Sequence, residues 1–420
     1  MIKETFEKVD ENIFYEKLNN GIDVYLYKTD KTKNFYVTIS VKYGANVTKY
    51  KIGKKIVNVI PGSAHFLEHK VMALSENKEI SKRINELGSL ANAWTSYFGT
   101  NYNIFGSINL IENLKLLLDI FYNTNINQKN VEEEKGIIGE EIDMYKDNID
   151  SLLTYHLYDN LFKKAYAKKT IVGERSDLEK ITAKSLNEIY NDYYIPNNTF
   201  IIVTGNFDIE EVMDVIKEYM NKLNLKQKEI PKRIKEKEIE EVYIPYEEIT
   251  KDLNNNRVKI AYKMNKKVFN MKDDILKNYI GIILSNNLSS SSKLFEKYKL
   301  KDIAININTG VSIVDDSLII TIDGITNNPD LFIKSIQKDI KKLKINKLDF
   351  ERKKKGYLKS YIMDFDNIED IEYNISISLM LDNKINYKEY SDINNMSYEI
   401  ANRIIKLFNF NNECVIKTVK

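Results

Sequence analysis

Two of the three histidines in this 420-residue chain stand four apart with a glutamate between them, in the run His65-Phe66-Leu67-Glu68-His69. On a helix, residues i, i+3 and i+4 share one face, so His65, Glu68 and His69 would project together. Two imidazoles at this spacing can hold one zinc ion, and a carboxylate beside them can work on a metal-bound water. The order H-x-x-E-H is the reverse of the commoner H-E-x-x-H. The competing reading is a pair of packed core histidines beside a solvated glutamate. Zinc chemistry demands two things more: a helix to carry the motif and a third ligand, with one position left open for water.

The remaining histidine, His156, has no partner at helical spacing, so an acidic third ligand is the stronger candidate. The segment 131–142, Val-Glu-Glu-Glu-Lys-Gly-Ile-Ile-Gly-Glu-Glu-Ile, offers several. Glu134 and Glu141 lie two helical turns apart and share a face; an exposed acidic helix is the other reading of this stretch. Gly136 and Gly139 weaken any such helix, which predicts that another backbone packs closely against them.

Elements able to position these residues are legible around them. Asn20-Gly21, between strand-like runs in 15–27, marks a hairpin, and 35–41 alternates as a third strand. Pro61 and Gly62 precede the motif helix, which runs on through Val71-Met72. A helix at 79–87 is stopped by Gly88. Strands follow near 90–95 and 102–108, then helices at 110–121 and 130–144, with more helix to about 162. A helix at 182–194 ends before Pro196, a buried strand occupies 200–204, and 208–223 is an amphipathic helix. Residues 226–241 are nearly all charge of alternating sign and read as a solvated linker.

Beyond this segment the pattern restarts. Tyr193-Tyr194-Ile195-Pro196-Asn197-Asn198 before an apolar strand is echoed, 214 residues on, by Leu407-Phe408-Asn409-Phe410-Asn411-Asn412 before Val415-Ile416. At the same offset the motif helix falls at 279–283, inside the apolar run 276–284, which has neither His nor Glu. A repeat at half-length suggests two homologous domains, of which only the first would have kept the metal chemistry. The expected division is a zinc-binding catalytic domain at 1–225, a charged linker at 226–245, and a homologous domain without a metal site at 246–420. The class is α+β, each domain an antiparallel-rich sheet covered by helices.

Composition narrows the function classes. With 63 basic and 61 acidic residues well mixed and a net charge of +2, the chain lacks a nucleic-acid footprint or a membrane-surface field. No apolar run of membrane-spanning length is present, and residues 1–7 carry no apolar signal core. A single cysteine, Cys414, excludes an internal disulfide and fits a reducing compartment. The expected location is cytoplasmic.

Three segments carry a family resemblance. Gly62-Ser63-Ala64-His65-Phe66-Leu67-Glu68-His69-Lys70, then Asn92-Ala93-Trp94-Thr95-Ser96, then Glu134-Lys135-Gly136-Ile137-Ile138-Gly139-Glu140-Glu141-Ile142 stand in an order and spacing that resemble the pitrilysin/insulinase family of zinc peptidases. The likeness is nearest to the short two-domain bacterial members related to the mitochondrial processing peptidase, and implies their half-clamshell fold. It implies one zinc per chain, held by His65, His69 and Glu141, with Glu68 as general base and Glu134 supporting the ligands. Glu140 is the rival ligand at a less favourable spacing. Asn92 and Ala93 fall on the family's edge strand, which pairs with a peptide substrate.

One departure stands in the second half. Family members with a complete site carry an Arg and a Tyr seven apart that stabilise the oxyanion. After Ser292-Lys293-Leu294-Phe295 those positions become Lys299 and Asn306. Lys lacks the guanidinium fork, and Asn is not a phenol. Two readings follow: the chain is a weak or inactive peptidase, or, as the resemblance favours, it works as a dimer, in one form a heterodimer in which a zinc-less paralogue supplies Arg and Tyr. The implied activity is hydrolysis of short or unfolded peptides, or leader processing, in an enclosed chamber. The alternative is a non-catalytic peptide-binding or assembly subunit.

Overall fold

The Asn20-Gly21 hairpin starts the principal sheet. In the computed structural model, which describes residues 1–73 and 78–419, β1 (Ile2–Phe6), β2 (Glu11–Lys17) and β3 (Asp23–Lys28) form an antiparallel meander. Gly21 turns the chain at φ +89°, where Asn20 Oδ1 accepts the Ile22 N–H at 3.2 Å. A side chain there would collide with Asn197, whose Cβ lies 2.7 Å from the position of an added Cβ. Next come β4 (Phe35–Val41), the short β5 (Lys49–Ile52) and β6 (Lys55–Asn58), and helices α1 (Ser63–Met72) and α2 (Lys78–Glu86). They are followed by β7 (Leu90–Thr95), β8 (Thr100–Gly106), α3 (Leu110–Tyr122), α4 (Gln128–Asp147), α5 (Ile149–Leu161) and β9 (Thr199–Gly205).

Seven strands make one sheet in the order β1-β2-β3-β9-β4-β8-β7. Only the β3–β9 pairing is parallel. Every residue of β4 and β9 is buried, as expected of central strands covered on both faces. Alternation sends Val37, Ile39 and Val41 into the apolar core with Leu114, Leu117 and Phe121 of α3. The neighbours Thr38 and Ser40 point the other way, and the helix Ile368–Asp382 packs against β4 and β9. That helix brings Glu372 onto the same face, where Asn101 Nδ2 of β8 donates to its carboxylate at 3.0 Å and Ser376 Oγ donates at 2.6 Å.

The chain forms two compact units interleaved in sequence. The first comprises Met1–Met144, Thr170–Lys235 and Ile362–Lys388; the second comprises Tyr145–Lys169, Glu236–Tyr361 and Glu389–Lys420. Helix α5, early in the chain, packs on the second unit's sheet, while Ile368–Asp382, late in the chain, covers the first. The change from one unit to the other at Lys235 and Glu236 falls inside the charged segment. That segment is more structured than a solvated linker. β10 (Lys232–Arg233) pairs with β5 to extend the small sheet β10-β5-β6. Glu238 accepts the backbone N–H groups of Lys163, Lys164 and Ala165 at 3.1, 2.7 and 2.7 Å. The same carboxylate lies 3.6 Å from Lys263 Nζ, so it serves both backbone donors and a buried ammonium.

The second unit's sheet is made of β11 (Tyr246–Thr250), β12 (Asn256–Asn265), β13 (Asn306–Val314), β14 (Ser317–Thr326) and β15 (Glu413–Val419), in the order β11-β15-β12-β14-β13. This repeats β3-β9-β4-β8-β7 strand for strand, including the one parallel pairing, β11 with β15. β15 begins 214 residues after β9, the offset of the sequence echo. The helix Asp273–Leu288 follows β12 as α1 follows β4, and it contains no histidine or glutamate. Among the described residues no helix is long and apolar enough to cross a membrane. Cys414 is buried and free, its thiol pushed up to about 12, chiefly by burial.

Candidate metal centre

Helix α1 is held so that its motif face meets α4. Gly62, just before it, has φ +86°, and a Cβ there would lie 2.7 Å from the Val172 carbonyl oxygen, so only glycine fits without strain. All but one of the ten residues of α1 are buried. A helix buried on nearly all sides lies inside the core although half its residues are polar, and Phe66, Leu67, Val71 and Met72 are core members.

Within this frame His65, Glu68 and His69 share a face, and α4 brings two carboxylates to them. The Glu141 oxygens each lie 3.5 Å from an imidazole Nε2, one from His65 and one from His69. One ligand atom from each of the three residues falls within 4.8 Å of the other two. Two turns earlier, Glu134 is completely buried, and its Oε1 accepts from His69 Nδ1 at 2.9 Å. That bond fixes the ring so that Nε2 faces Glu141. Burial works against a charged His69, but Glu134 and Glu141 outweigh it and raise the imidazole to about 9. His65 and His69 hold the Glu141 carboxyl well below the usual carboxylate range.

The donor set suits zinc: two imidazole nitrogens and one carboxylate, with a carboxylate orienting one imidazole from behind. Three converging ligands leave room for a fourth from water or substrate. His65 Nδ1 is buried without a hydrogen-bond partner among the described residues, so this ring is oriented by packing rather than by a second carboxylate.

Other sequence-derived candidates are placed as follows. Glu68 is buried beside the cluster, and its Oε2 accepts the Thr95 hydroxyl at 2.5 Å. Thr95 ends β7, and its Oγ1 lies 3.5 Å from Thr100 Oγ1, which donates to the Tyr43 carbonyl at 3.0 Å. Sequence reasoning assigned Thr95 no role, although it stood inside the Asn92–Ser96 signature. Asn92 and Ala93 lie on β7, whose only sheet partner among the described residues is β8, opposite Asn103 and Tyr102. Asn92 is exposed, with Oδ1 accepting the Ala93 N–H at 2.9 Å. Trp94 is half-buried, its ring 5.5 Å from that of Tyr373. Glu140 is exposed and pairs with Arg175 at 3.7 Å, outside the cluster. His156 instead pairs with Glu247 at 3.0 Å in the second unit.

The α4 glycines have a different environment from the close backbone approach expected of them. Nothing lies within 4 Å of a Cβ added at Gly136, and one at Gly139 would meet the Arg175 guanidinium, a flexible side-chain end. The carboxylates reach α1 through side-chain length, so no backbone contact is needed at these positions. Lys299 lies exposed on the helix Lys293–Leu300, and Asn306 opens β13.

Known proteins resemble this chain in sequence and in fold. Residues 58–175 match a family model described as insulinase (peptidase family M16), and residues 180–357 match one described as peptidase M16 inactive domain. The uncharacterized zinc protease YmfH of Bacillus subtilis is 30% identical over 295 residues, covering 69% of this chain and 68% of its own. Among solved structures, an M16-like protein from Alicyclobacillus acidocaldarius has a TM-score of 0.89 at 20% identity, covering 98% of this chain and 99% of that one. A chain of Complex III2 from Candida albicans gives 0.76 at 16% identity, over 96% and 95%.

Proposed function

The chain belongs to the insulinase (M16) family of peptidases, and from that premise we propose that it is a zinc-dependent endopeptidase acting on short, unfolded or leader peptides. The observation that carries this reading is the convergence of His65, His69 and Glu141 beside a buried Glu68. The first three are the proposed ligands, one zinc per chain. Zinc, when bound, would polarise the scissile carbonyl and acidify a water. Glu68 is the general base placed to accept a proton from an attacking water and return it to the leaving amine, and the Thr95 hydroxyl holds its carboxylate. Glu134 keeps His69 turned toward the ligand cluster. Asn92 and Ala93 lie along the strand that a substrate joins by main-chain hydrogen bonds. The position of β7 at the end of its sheet supports that mode, in which pockets for alternate side chains set specificity.

Zinc content and peptide cleavage by the purified full chain test this. One zinc per chain and cleavage abolished by a chelator are expected. Glu68→Gln should lower turnover by about 10²–10⁴-fold while zinc is retained. No zinc in the wild-type chain, or unchanged cleavage by Glu68→Gln, would sink the proposal.

A second reading is favoured by Lys299 and Asn306, neither of which reproduces the Arg and Tyr of a complete family site, and by the match of 180–357 to a model described as inactive. On this reading the chain works as a dimer, in one form a heterodimer whose zinc-less partner supplies the oxyanion donors. Loss of such a donor typically costs on the order of 10²–10³ in rate. A partner bearing Arg and Tyr should restore that factor when mixed with this chain; full activity from a monomer would exclude the arrangement. A non-catalytic peptide-binding subunit is the reading left if the chain binds peptide but neither alone nor mixed cleaves it.

A further inference from the structure

Lys70, next to the second histidine of the motif, is a cation in an unusual place. Its side chain is completely buried, as is that of Glu134. Lys70 Nζ lies 3.4 Å from Glu134 Oε2 and donates to the Asn130 carbonyl oxygen at 3.1 Å. The other Glu134 oxygen, Oε1, receives His69 Nδ1 at 2.9 Å. One carboxylate thus spans two consecutive residues of α1, and a chain of contacts runs from Asn130 through Lys70 and Glu134 to His69. Taking an ammonium and a carboxylate completely out of water costs several kcal/mol per ion. A neutral, apolar side chain could pack against α4 without that cost. What the ammonium adds is direction: it engages Oε2 and leaves Oε1 aimed at the imidazole.

We propose that Lys70 is a positioning residue for the zinc site, pinning Glu134 so that His69 presents Nε2 to His65 and Glu141. The inference rests on the zinc reading of the cluster but concerns a residue to which that reading gives no part. Two simpler roles make different predictions. If Lys70 only cross-links α1 to α4, its loss lowers stability and leaves zinc affinity alone. If it acts only through its charge, its loss removes repulsion from a cation and tightens zinc binding. A positioning role predicts weaker binding, because partners behind a metal-ligating histidine are worth about 10–100-fold in affinity.

The test uses the full chain as wild type, Lys70→Met, Glu134→Gln and the double variant. Zinc dissociation constants are measured by competition with a chelator, and unfolding of the zinc-free proteins confirms that each is folded. Lys70→Met should weaken zinc binding by about 10-fold. In the Glu134→Gln background it should add nothing, since the pinned carboxylate is already gone. Unchanged or tighter binding, or an equal loss in both backgrounds, overturns the proposal. A zinc-free crystal structure of Lys70→Met gives a reading independent of metal. Glu134 turned away from His69 supports the role, and the contact kept at its wild-type distance overturns it. If Lys70→Met does not fold, Lys70→Gln is read by the same criteria. A wild-type chain that binds no zinc defeats the metal reading instead, and the crystal structure then decides the role of Lys70 by itself.

Discussion

Glu68 and Thr95 meet at 2.5 Å although 27 residues separate them, and that contact makes a testable difference at the level of single residues. Thr95→Val keeps the shape of the side chain and removes the donor. Its turnover should fall, by up to about 10²-fold if the carboxylate swings off its line, with zinc content unchanged. Thr95→Ser should recover most of the loss. Equal turnover for Val and Thr would show that packing alone sets the position of Glu68. The ligand candidates were legible because their geometry is local: His65 and His69 share a helical face, and so do Glu134 and Glu141. Choosing Glu141 over Glu140 needed the resemblance; in the structure Glu140 is exposed and lies 3.7 Å from Arg175. Thr95 and Lys70 were illegible as participants, because each acts on a residue brought near by tertiary packing.

At the scale of elements, the helix Ile368–Asp382 carries a carboxylate into the buried polar face of the sheet. Glu372 is almost fully buried, and burial raises its pKa; the nearby Glu369 adds to the shift, while the donors Ser376 and Asn101 oppose it. The folded protein therefore binds this proton more tightly than the unfolded chain does. Its stabilising effect is full below the unfolded value of about 4.3 and is lost as pH rises through the folded value. Glu372→Gln should melt like wild type near pH 4 and above it near pH 8, by on the order of a few degrees. A constant difference across that range would assign the effect to packing rather than ionisation. Periodicity located α1, α3, α4 and β4 closely, and the positive-φ glycines marked the hairpin and the start of α1. It was silent on which element covers which face, since the polar residues Thr38, Ser40 and Asn101 look in sequence like a solvated side of a sheet.

At the scale of the whole molecule, the repeated strand order makes the duplication plain where the sequence kept one faint echo. Similar sheets can be built from different apolar residues, so topology outlasts identity. The echo survived in β9 and β15, central strands whose burial restricts them most. Interleaving was not legible at all, because a linear reading divides a chain where composition changes. It has a direct test: a fragment ending at Lys235 holds every strand of the first sheet but lacks Ile362–Lys388. It should be poorly soluble or loosely packed, and a peptide spanning 362–388 should restore sharp thermal unfolding. A fragment as stable as the same unit in the full chain would contradict the packing described. The exchange of helices also sets a timetable for birth on the ribosome. After β9 has been made, roughly 180 more residues must be translated before the cover of that sheet exists, on the order of ten to thirty-five seconds at ordinary elongation rates. Throughout that interval the nascent first unit exposes an unfinished flank, which chaperones rather than the chain itself would have to shelter.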